Sequence, residues 1–283
     1  MIKSPSDDLI HSTVLISTKN SQGQCGSGTG FLVQWPLDDE KQYCLLITNR
    51  HVVKDAEQVQ FEVIGTRYED GVPYPDLSKV YNYNLNTAKD TWWFHPNEDI
   101  DLAAFPFGKV INSIVAEGET PYVRVLASDL IPNDQQFGEL DAVESVAMIG
   151  YPIGLMDRKN RLPVFRTGVT ATPVYHDYNG KNEFLIDCAC FPGSSGSPVF
   201  LYNQGSYFDK TKSKFLFASL RVRLLGVLYA GPQLALNGEI HVEPIPMTRI
   251  ITKTNIMINL GNCIRADALK DLAEYAMSTD NTV

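Results

Sequence analysis

Three short segments of the chain carry side chains that can do chemistry together. LLITNRHVV (45–53) ends an apolar run on His51. NEDIDLAAFPF (97–107) sets Asp99 and Asp101 just ahead of an apolar stretch. FPGSSGSPVF (191–200) places Ser195 in a glycine-rich turn that runs straight into another apolar stretch. A serine hydroxyl attacks a carbonyl carbon only if a neighbouring base takes its proton. Histidine suits that task because its ordinary pKa lies near neutrality, so it can accept the proton and later return it to a leaving amine. A buried carboxylate that fixes the imidazole tautomer and stabilises the imidazolium completes the set. Glycines around the serine let backbone N–H groups point at an oxygen as it turns negative, and the N–H groups of Gly193 and Ser195 are assigned to that oxyanion hole. The chemistry implied is acyl transfer: Ser195 as nucleophile, His51 as base, and an aspartate of the 97–107 segment as the orienting acid.

Such groups need rigid supports, and the surrounding sequence supplies them. STVLIST (12–18), GTGFLVQW (28–35), YCLLITN (43–49) and QVQFEVIG (58–65) are short, rich in β-branched and aromatic residues, and separated by polar or Gly/Pro/Asp clusters. That texture predicts strands. It returns in AVESVAMIGYP, VFRTGVTATPVY, EFLIDCAC, SPVFLY and RLLGVLYAG after residue 140. Each reactive side chain falls at the end of a predicted strand, where a scaffold can hold a loop-borne group. EDGVPYPDLSKVYNYNLNT (69–87) reads as a long hairpin or loop, and YNQGSYFDKTKSKF (202–215) as a polar insertion between two strands. Helical periodicity is confined to IRADALKDLAEYAM (264–277), which puts Ile264, Leu269, Leu272 and Met277 or Tyr275 on one face. Many short strands with turns between them predict an all-β sandwich or barrel.

The bulk properties narrow the partners. A net charge of −9 and a pI near 5.0 over 283 residues disfavour nucleic acid and anionic membranes, whose phosphates the chain would repel. No apolar run approaches the ~18 residues that span a bilayer. Asp7 and Asp8 stand where a secretion signal would need an apolar core, so a cytoplasmic protein is expected. Five cysteines (Cys25, Cys44, Cys188, Cys190, Cys263) cannot all pair and lack CxxC spacing, which predicts free thiols in a reducing compartment and no metal site. His11, His95, His176 and His241 have no ligand-spaced partners and read as surface or structural residues. GSGTG (26–30) lacks the rest of a nucleotide loop, and GSSGS has Ser197 where a nucleophile elbow needs glycine.

The order His, Asp, Ser, with TNRHVV, DLAAF and GSSGSPVF around them, resembles the chymotrypsin/trypsin-like serine peptidases, nearest their bacterial glutamyl-endopeptidase and HtrA-like branches. GSGTGFLV (26–33), GYPIG with RTGVTATP (150–154, 166–173), LLGVLYAG (224–231) and VEPIPMTRI (242–250) extend the likeness over roughly residues 10 to 255. The resemblance implies two antiparallel six-stranded β-barrels, residues 1–125 and 126–260, with a C-terminal helix and tail over 261–283. It selects Asp101, directly before Leu-Ala, over Asp99. By position it puts the specificity pocket at Ala189, Cys190 and Leu228, with Tyr229, Ala230 and Gly231 as the edge that pairs with substrate. Trypsin keeps an acid at the Ala189 position and glutamyl endopeptidases a histidine at the Leu228 position, so a small or medium apolar side chain before the scissile bond is expected instead.

Departures from the family pattern matter too. Ser194 stands where secreted members keep the aspartate used in zymogen activation, Val52 replaces a bridged cysteine after His51, and no PDZ domain is expected to follow. The expected function is a cytoplasmic serine endopeptidase acting through an acyl-enzyme on a protein or peptide substrate. It needs no cofactor, and its activity is restrained by narrow specificity, a loop or a regulatory protein partner. Two rivals remain: a latent or inactive module that binds peptides or is controlled by a partner, and an esterase using the same triad.

Overall fold

Strands whose two faces are both apolar must lie between two cores, and β2 (Cys25–Pro36) and β3 (Gln42–Thr48) do so. Phe31, Val33, Leu45 and Ile47 face a core shared with the second half of the chain, while Leu32, Cys44 and Leu46 face the interior of the first half. A computed structural model describes residues 4–38, 41–86, 92–239 and 251–280. After a short helix α1 (Pro5–Ile10), strand β1 (Thr13–Asn20) pairs with β2 and with β4 (Ala56–Glu69). β5 (Val72–Leu85) extends the sheet beyond β4, and β6 (Trp93–Phe94) and β7 (Ala103–Pro106) extend it beyond β3. The order is β5-β4-β1-β2-β3-β7-β6, with β8 (Leu126–Ala127) pairing parallel to β2. Helix α2 (Arg50–Val53) follows β3, and α3 (Gly108–Ala116) and α4 (Asp134–Gly138) flank β8 in the chain.

The second half closes on itself. β9 (Ser145–Gly150), β10 (Val164–Thr170), β11 (Glu183–Asp187), β12 (Pro198–Asp209), β13 (Lys214–Ala230) and β16 (Leu260–Arg265) form a closed six-stranded barrel in the order β10-β11-β16-β13-β12-β9. Val146, Met148, Phe184, Ile186, Val199, Leu201 and Leu225 fill it. β14 (Gln233–Glu239) and β15 (Ile251–Met257) make a separate two-stranded sheet, and helix α5 (Ala268–Thr279) ends the fold.

The protein is mostly β, as the strand texture predicts, but only one of the two expected six-stranded barrels has that form. The first half is an eight-stranded sheet whose pairing, among the described residues, does not return on itself. Closure needs a continuous ladder between the two edge strands. Here β5 has 14 residues and β6 has 2, so the short edge offers almost no ladder to the long one.

Of the two long segments, one follows its hairpin reading and the other does not. The 69–86 part of the 69–87 segment is the turn and second arm of a long hairpin, with β5 paired to β4 up to Glu69↔Val72 around Asp70-Gly71, both at positive φ (51° and 75°), and residue 87 lies outside the described residues. Asp-Gly accommodates that two-residue turn because both positions need left-handed backbone. The 202–215 segment is not a polar insertion. β12 and β13 run on through it, paired from Tyr202↔Val222 to Asp209↔Lys214, and the tyrosine and phenylalanines at 207, 208, 215 and 217 have the strand preference that the polar residues mask.

The helical pattern begins later than its sequence suggests, because Ile264 lies in β16 and points into the shared core. α5 buries Ala268, Leu269, Leu272, Ala273 and Ala276 and leaves Tyr275 exposed. It therefore docks on its own chain, in the core between sheet and barrel. β16 spans the division drawn at 260/261, and β8 pairs with the first sheet. VEPIPMTRI (242–250) and His241 lie outside the described residues.

Candidate active site

β3 ends at Thr48, and the chain turns into α2 with Asn49 in extended conformation at its cap. Arg50 and His51 thus sit on the first turn of α2, above the loop that precedes β7. Asp101 lies in that loop and engages three consecutive residues. Its carbonyl oxygen accepts the Asn49 side-chain amide at 2.8 Å and the Arg50 N–H at 3.3 Å. Its carboxylate accepts the His51 N–H at 2.9 Å and meets His51 Nδ1 at 2.5 Å. A carboxylate on Nδ1 favours the tautomer with its proton there and leaves Nε2 free to accept another. Asp99 makes no such contact, its N–H donating to the Asn97 side chain. Arg50 braces the arrangement from behind, donating to the carbonyls of His95 at 2.8 Å and Glu98 at 3.2 Å and lying over the Phe94 ring. His95 is buried beneath this brace. Desolvation holds its pKa below the ordinary histidine value, so it packs there as a neutral ring.

Ser195 arrives from the barrel, on the turn before β12. Gly193 and Gly196 both adopt positive φ, 84° and 85°. A Cβ at Gly196 would stand 2.0 Å from the Thr29 carbonyl oxygen, so glycine is required there on two counts. Within the turn the N–H groups of Ser194, Gly196 and Ser197 donate to the carbonyls of Phe191, Leu228 and Ser194. The N–H groups of Gly193 and Ser195 have no protein acceptor among the described residues. These are the same two groups that the sequence assigns to an oxyanion hole. Ser195 Oγ donates to the Tyr229 carbonyl at 3.4 Å and makes no hydrogen bond to His51. Ser194 is buried with its hydroxyl unpartnered.

A cleft of about 270 Å³ opens beside Ser195, walled by Cys190, Phe191, Pro192, Leu228, Ala230 and Gly231. Of the residues expected to shape the specificity pocket, Cys190, Leu228, Ala230 and Gly231 line it. Ala189 does not; its carbonyl accepts Arg166 Nη1 at 2.9 Å. Tyr229 contributes its carbonyl to Ser195, while its hydroxyl donates to Glu183 at 2.8 Å. Burial pushes the Cys190 thiol up to about 12, so it meets the cleft as a neutral apolar wall and not as a second nucleophile. A larger cavity of about 640 Å³ lies elsewhere, between the β1–β4–β5 face and the 151–161 loop, and contains none of the three reactive residues. Among the described residues no group of three histidine, cysteine or acidic side chains is arranged to hold a metal ion.

Sequence reasoning missed Asn49, Arg50, Thr29 and the Tyr229 carbonyl. Asn49 and Arg50 lie in the singled-out TNRHVV, but their partners are backbone carbonyls that no local pattern reveals.

A family model described as a trypsin-like peptidase domain matches residues 28–207. No curated protein matches the chain. Among solved structures, a serine endoprotease from Yersinia pestis has a TM-score of 0.48 at 13% identity, over 99% of this chain and 69% of that one. A thermostable serine protease from an extremophilic microorganism has a TM-score of 0.47 at 13% identity, over 98% and 100% of the two chains. A protease of M. tuberculosis in its active form has a TM-score of 0.44 at 14% identity, over 94% and 81%. At these scores the family model alone carries the assignment.

Proposed function

This chain belongs to the trypsin-like peptidase domain family, and from that premise we propose that it is a serine endopeptidase working through His51, Asp101 and Ser195. Ser195 Oγ attacks the peptide carbonyl carbon while His51 Nε2 takes its proton and Asp101 holds the resulting imidazolium. The carbonyl oxygen, now negative, is met by the N–H groups of Gly193 and Ser195. The C–N bond then breaks as His51 passes the proton to the departing amine, leaving an acyl-enzyme. Water attacks that ester with His51 again as base, releasing the acid and restoring the hydroxyl. The observation that carries this reading is the pair of acceptor-free N–H groups flanking the nucleophile, together with the 2.5 Å His51–Asp101 contact.

The walls of the cleft beside Ser195 carry no charged side chain, which supports a small or medium apolar residue before the scissile bond. Five unpaired cysteines support a reducing, cytoplasmic setting, with activity restrained by narrow specificity or a regulatory partner. Unrestricted digestion of casein by the purified protein would refute that restraint.

One observation favours a second reading, a latent or non-turning-over module: Ser195 turns toward the Tyr229 carbonyl and not toward His51. Catalytic hydrogen bonds in empty sites commonly tighten only when substrate arrives, so we favour the enzyme. Labelling with a fluorophosphonate decides. Rapid labelling of the wild type, lost in Ser195→Ala and His51→Ala, is expected. An unlabelled wild type refutes an assembled triad, and labelling restored by cell extract then identifies latency.

A further inference from the structure

The turn that carries Ser195 is held by its carbonyls. Five successive ones, from Phe191 to Ser195, each accept a hydrogen bond. Two of these bonds, Ser194 N–H to Phe191 O and Ser197 N–H to Ser194 O, are local to the turn. The other three come from distant residues. Pro192 O accepts the Ile153 N–H at 2.6 Å, Gly193 O accepts the Thr29 hydroxyl at 3.2 Å, and Ser195 O accepts the Thr29 N–H at 2.8 Å.

A trans peptide is planar, with its N–H opposed to the preceding C=O. Fixing Pro192 O against Ile153 therefore aims the Gly193 N–H the other way, toward the side where it meets no protein acceptor. Fixing Gly193 O with the Thr29 hydroxyl clamps the next peptide plane. With both planes held, Gly193 keeps its φ of 84°, and the Pro192–Gly193 peptide cannot turn over.

Both clamping residues look built for this task. Ile153 has φ 54° and ψ 29°, a left-handed conformation that a β-branched residue adopts only when its surroundings force it. The residue is 66% exposed, so packing does not explain the strain. The backbone N–H is the part of Ile153 that engages the Ser195 turn. Thr29 is fully buried on β2, and its hydroxyl is saturated. It donates to Gly193 O and accepts from the Tyr151 N–H at 3.1 Å and the Ser197 hydroxyl at 3.3 Å. Tyr151 is two residues before Ile153, so one hydroxyl ties together the Ser195 turn, the 151–153 turn and the first sheet.

We propose that Thr29 and Ile153 are positioning residues that lock the Gly193 N–H into the oxyanion hole by holding the peptide planes before and after Gly193. The inference rests on the peptidase reading above and adds to it the devices that keep the hole formed before substrate binds.

Two pairs of variants test it, with fluorophosphonate acylation rate and peptide-substrate kcat and KM as readouts. Thr29→Val keeps the shape and the N–H but loses the hydroxyl, and Thr29→Ser restores the hydroxyl. Ile153→Pro removes the donor and forbids the left-handed φ, and Ile153→Gly restores both at an exposed turn. Thr29→Val and Ile153→Pro are expected to lower acylation rate and kcat by roughly 10–100-fold, with KM changed less than about threefold, since a misaimed donor costs part of the 10²–10³ of a deleted one. The Ser and Gly variants should recover to within about threefold of wild type. A peptide aldehyde, whose carbonyl oxygen becomes an oxyanion when Ser195 Oγ adds to its carbon and His51 takes the hydroxyl proton, should lose affinity for the two impaired variants, while the matching peptide amide should not.

Wild-type rates in both Thr29→Val and Ile153→Pro would overturn the proposal. So would losses that fall on KM alone, or equal losses in the Ser and Gly variants, because those mark a structural role only. Should Thr29→Val fail to fold, the Ile153 pair decides. A wild type that does not label at all overturns the peptidase reading, and this inference with it.

Discussion

The two halves of the site are held by different means. On the sheet, His51 and Asp101 are fixed by side chains: a carboxylate gripping an imidazole, the Asn49 amide on a carbonyl, and Arg50 bracing two more. On the barrel, the Ser195 turn is fixed almost wholly through backbone, with five carbonyls occupied and only the Thr29 hydroxyl lent by a side chain. Side-chain supports leave His51 adjustable, and it is half exposed. Backbone supports make the direction of the Gly193 N–H a property of the fold. Thr29 of the sheet joins the two halves through its N–H and hydroxyl, while the Ser195 hydroxyl itself bonds the Tyr229 carbonyl and not His51.

If this contrast holds, one side-chain change on the sheet should cost rate without disturbing the barrel turn. Asp101→Asn should lower kcat by about 10⁴, because the amide no longer stabilises the imidazolium or its productive tautomer. Peptide-aldehyde affinity measured in the same variant should fall far less if the hole is independent. Equal losses in both would show that the halves are not separable.

On the barrel side the sensitivity should lie in backbone geometry. Gly193→Ala places a Cβ at a φ of 84°, 2.9 Å from both Ile153 N and Tyr151 O. That displaces the clamped peptide, and a loss of roughly 10²–10³ in kcat is expected, with the far-ultraviolet circular dichroism unchanged. Retained activity would show that the Gly193 N–H is not used.

Away from the site, the barrel has its own side-chain tie. Arg221 meets Glu144 at 2.5 Å with both side chains largely buried. Glu144→Ala leaves the guanidinium charge unpaired, with only the Asn203 side chain and the Tyr207 ring beside it, and a stability loss of about 3 kcal/mol is expected from the shift in urea unfolding. The rate per folded molecule should not change.

The smallest effect belongs to the sheet. His95 is desolvated more than nearby Asp271 can offset, and Arg50 adds repulsion, so its folded pKa lies below its unfolded one. The unfolded chain then binds the proton first as pH falls. The stability tied to neutral His95 is present above about pH 6.5 and is lost as pH drops through the folded pKa. Thermal midpoints between pH 7.5 and 5 should fall less steeply in His95→Asn than in wild type. Identical slopes would dismiss the effect.

How much of this was legible in residues alone differs between the parts. Nine predicted strand segments all lie on observed strands, because β-branched and aromatic runs between turn residues carry a local signal. The Asp-Gly turn at 70–71 was equally local, whereas the strand character of 207–217 was hidden by the lysines among its aromatics. Ala189 shows the limit of positional inference: its place in the chain matches a pocket floor, but its carbonyl is taken by Arg166 and its side chain stays out of the cleft.

Residue types and their order determined by themselves the candidate nucleophile and base, an acid at Asp99 or Asp101 that only the family resemblance narrowed to Asp101, the glycines the turn requires, and the mostly β character, since each is written in a few neighbouring residues. Only the tertiary structure decided that the second half closes into a barrel while the first, among the described residues, pairs as an open sheet. It alone decided that Asp101 grips three consecutive residues, and that the N–H groups of Gly193 and Ser195 meet no acceptor among the described residues. Those outcomes depend on bonds between parts far apart in the chain, such as the Thr29 hydroxyl on Gly193, 164 residues away. A donor's direction is set by whichever distant group holds the adjoining carbonyl, and no local run of residues encodes that partner.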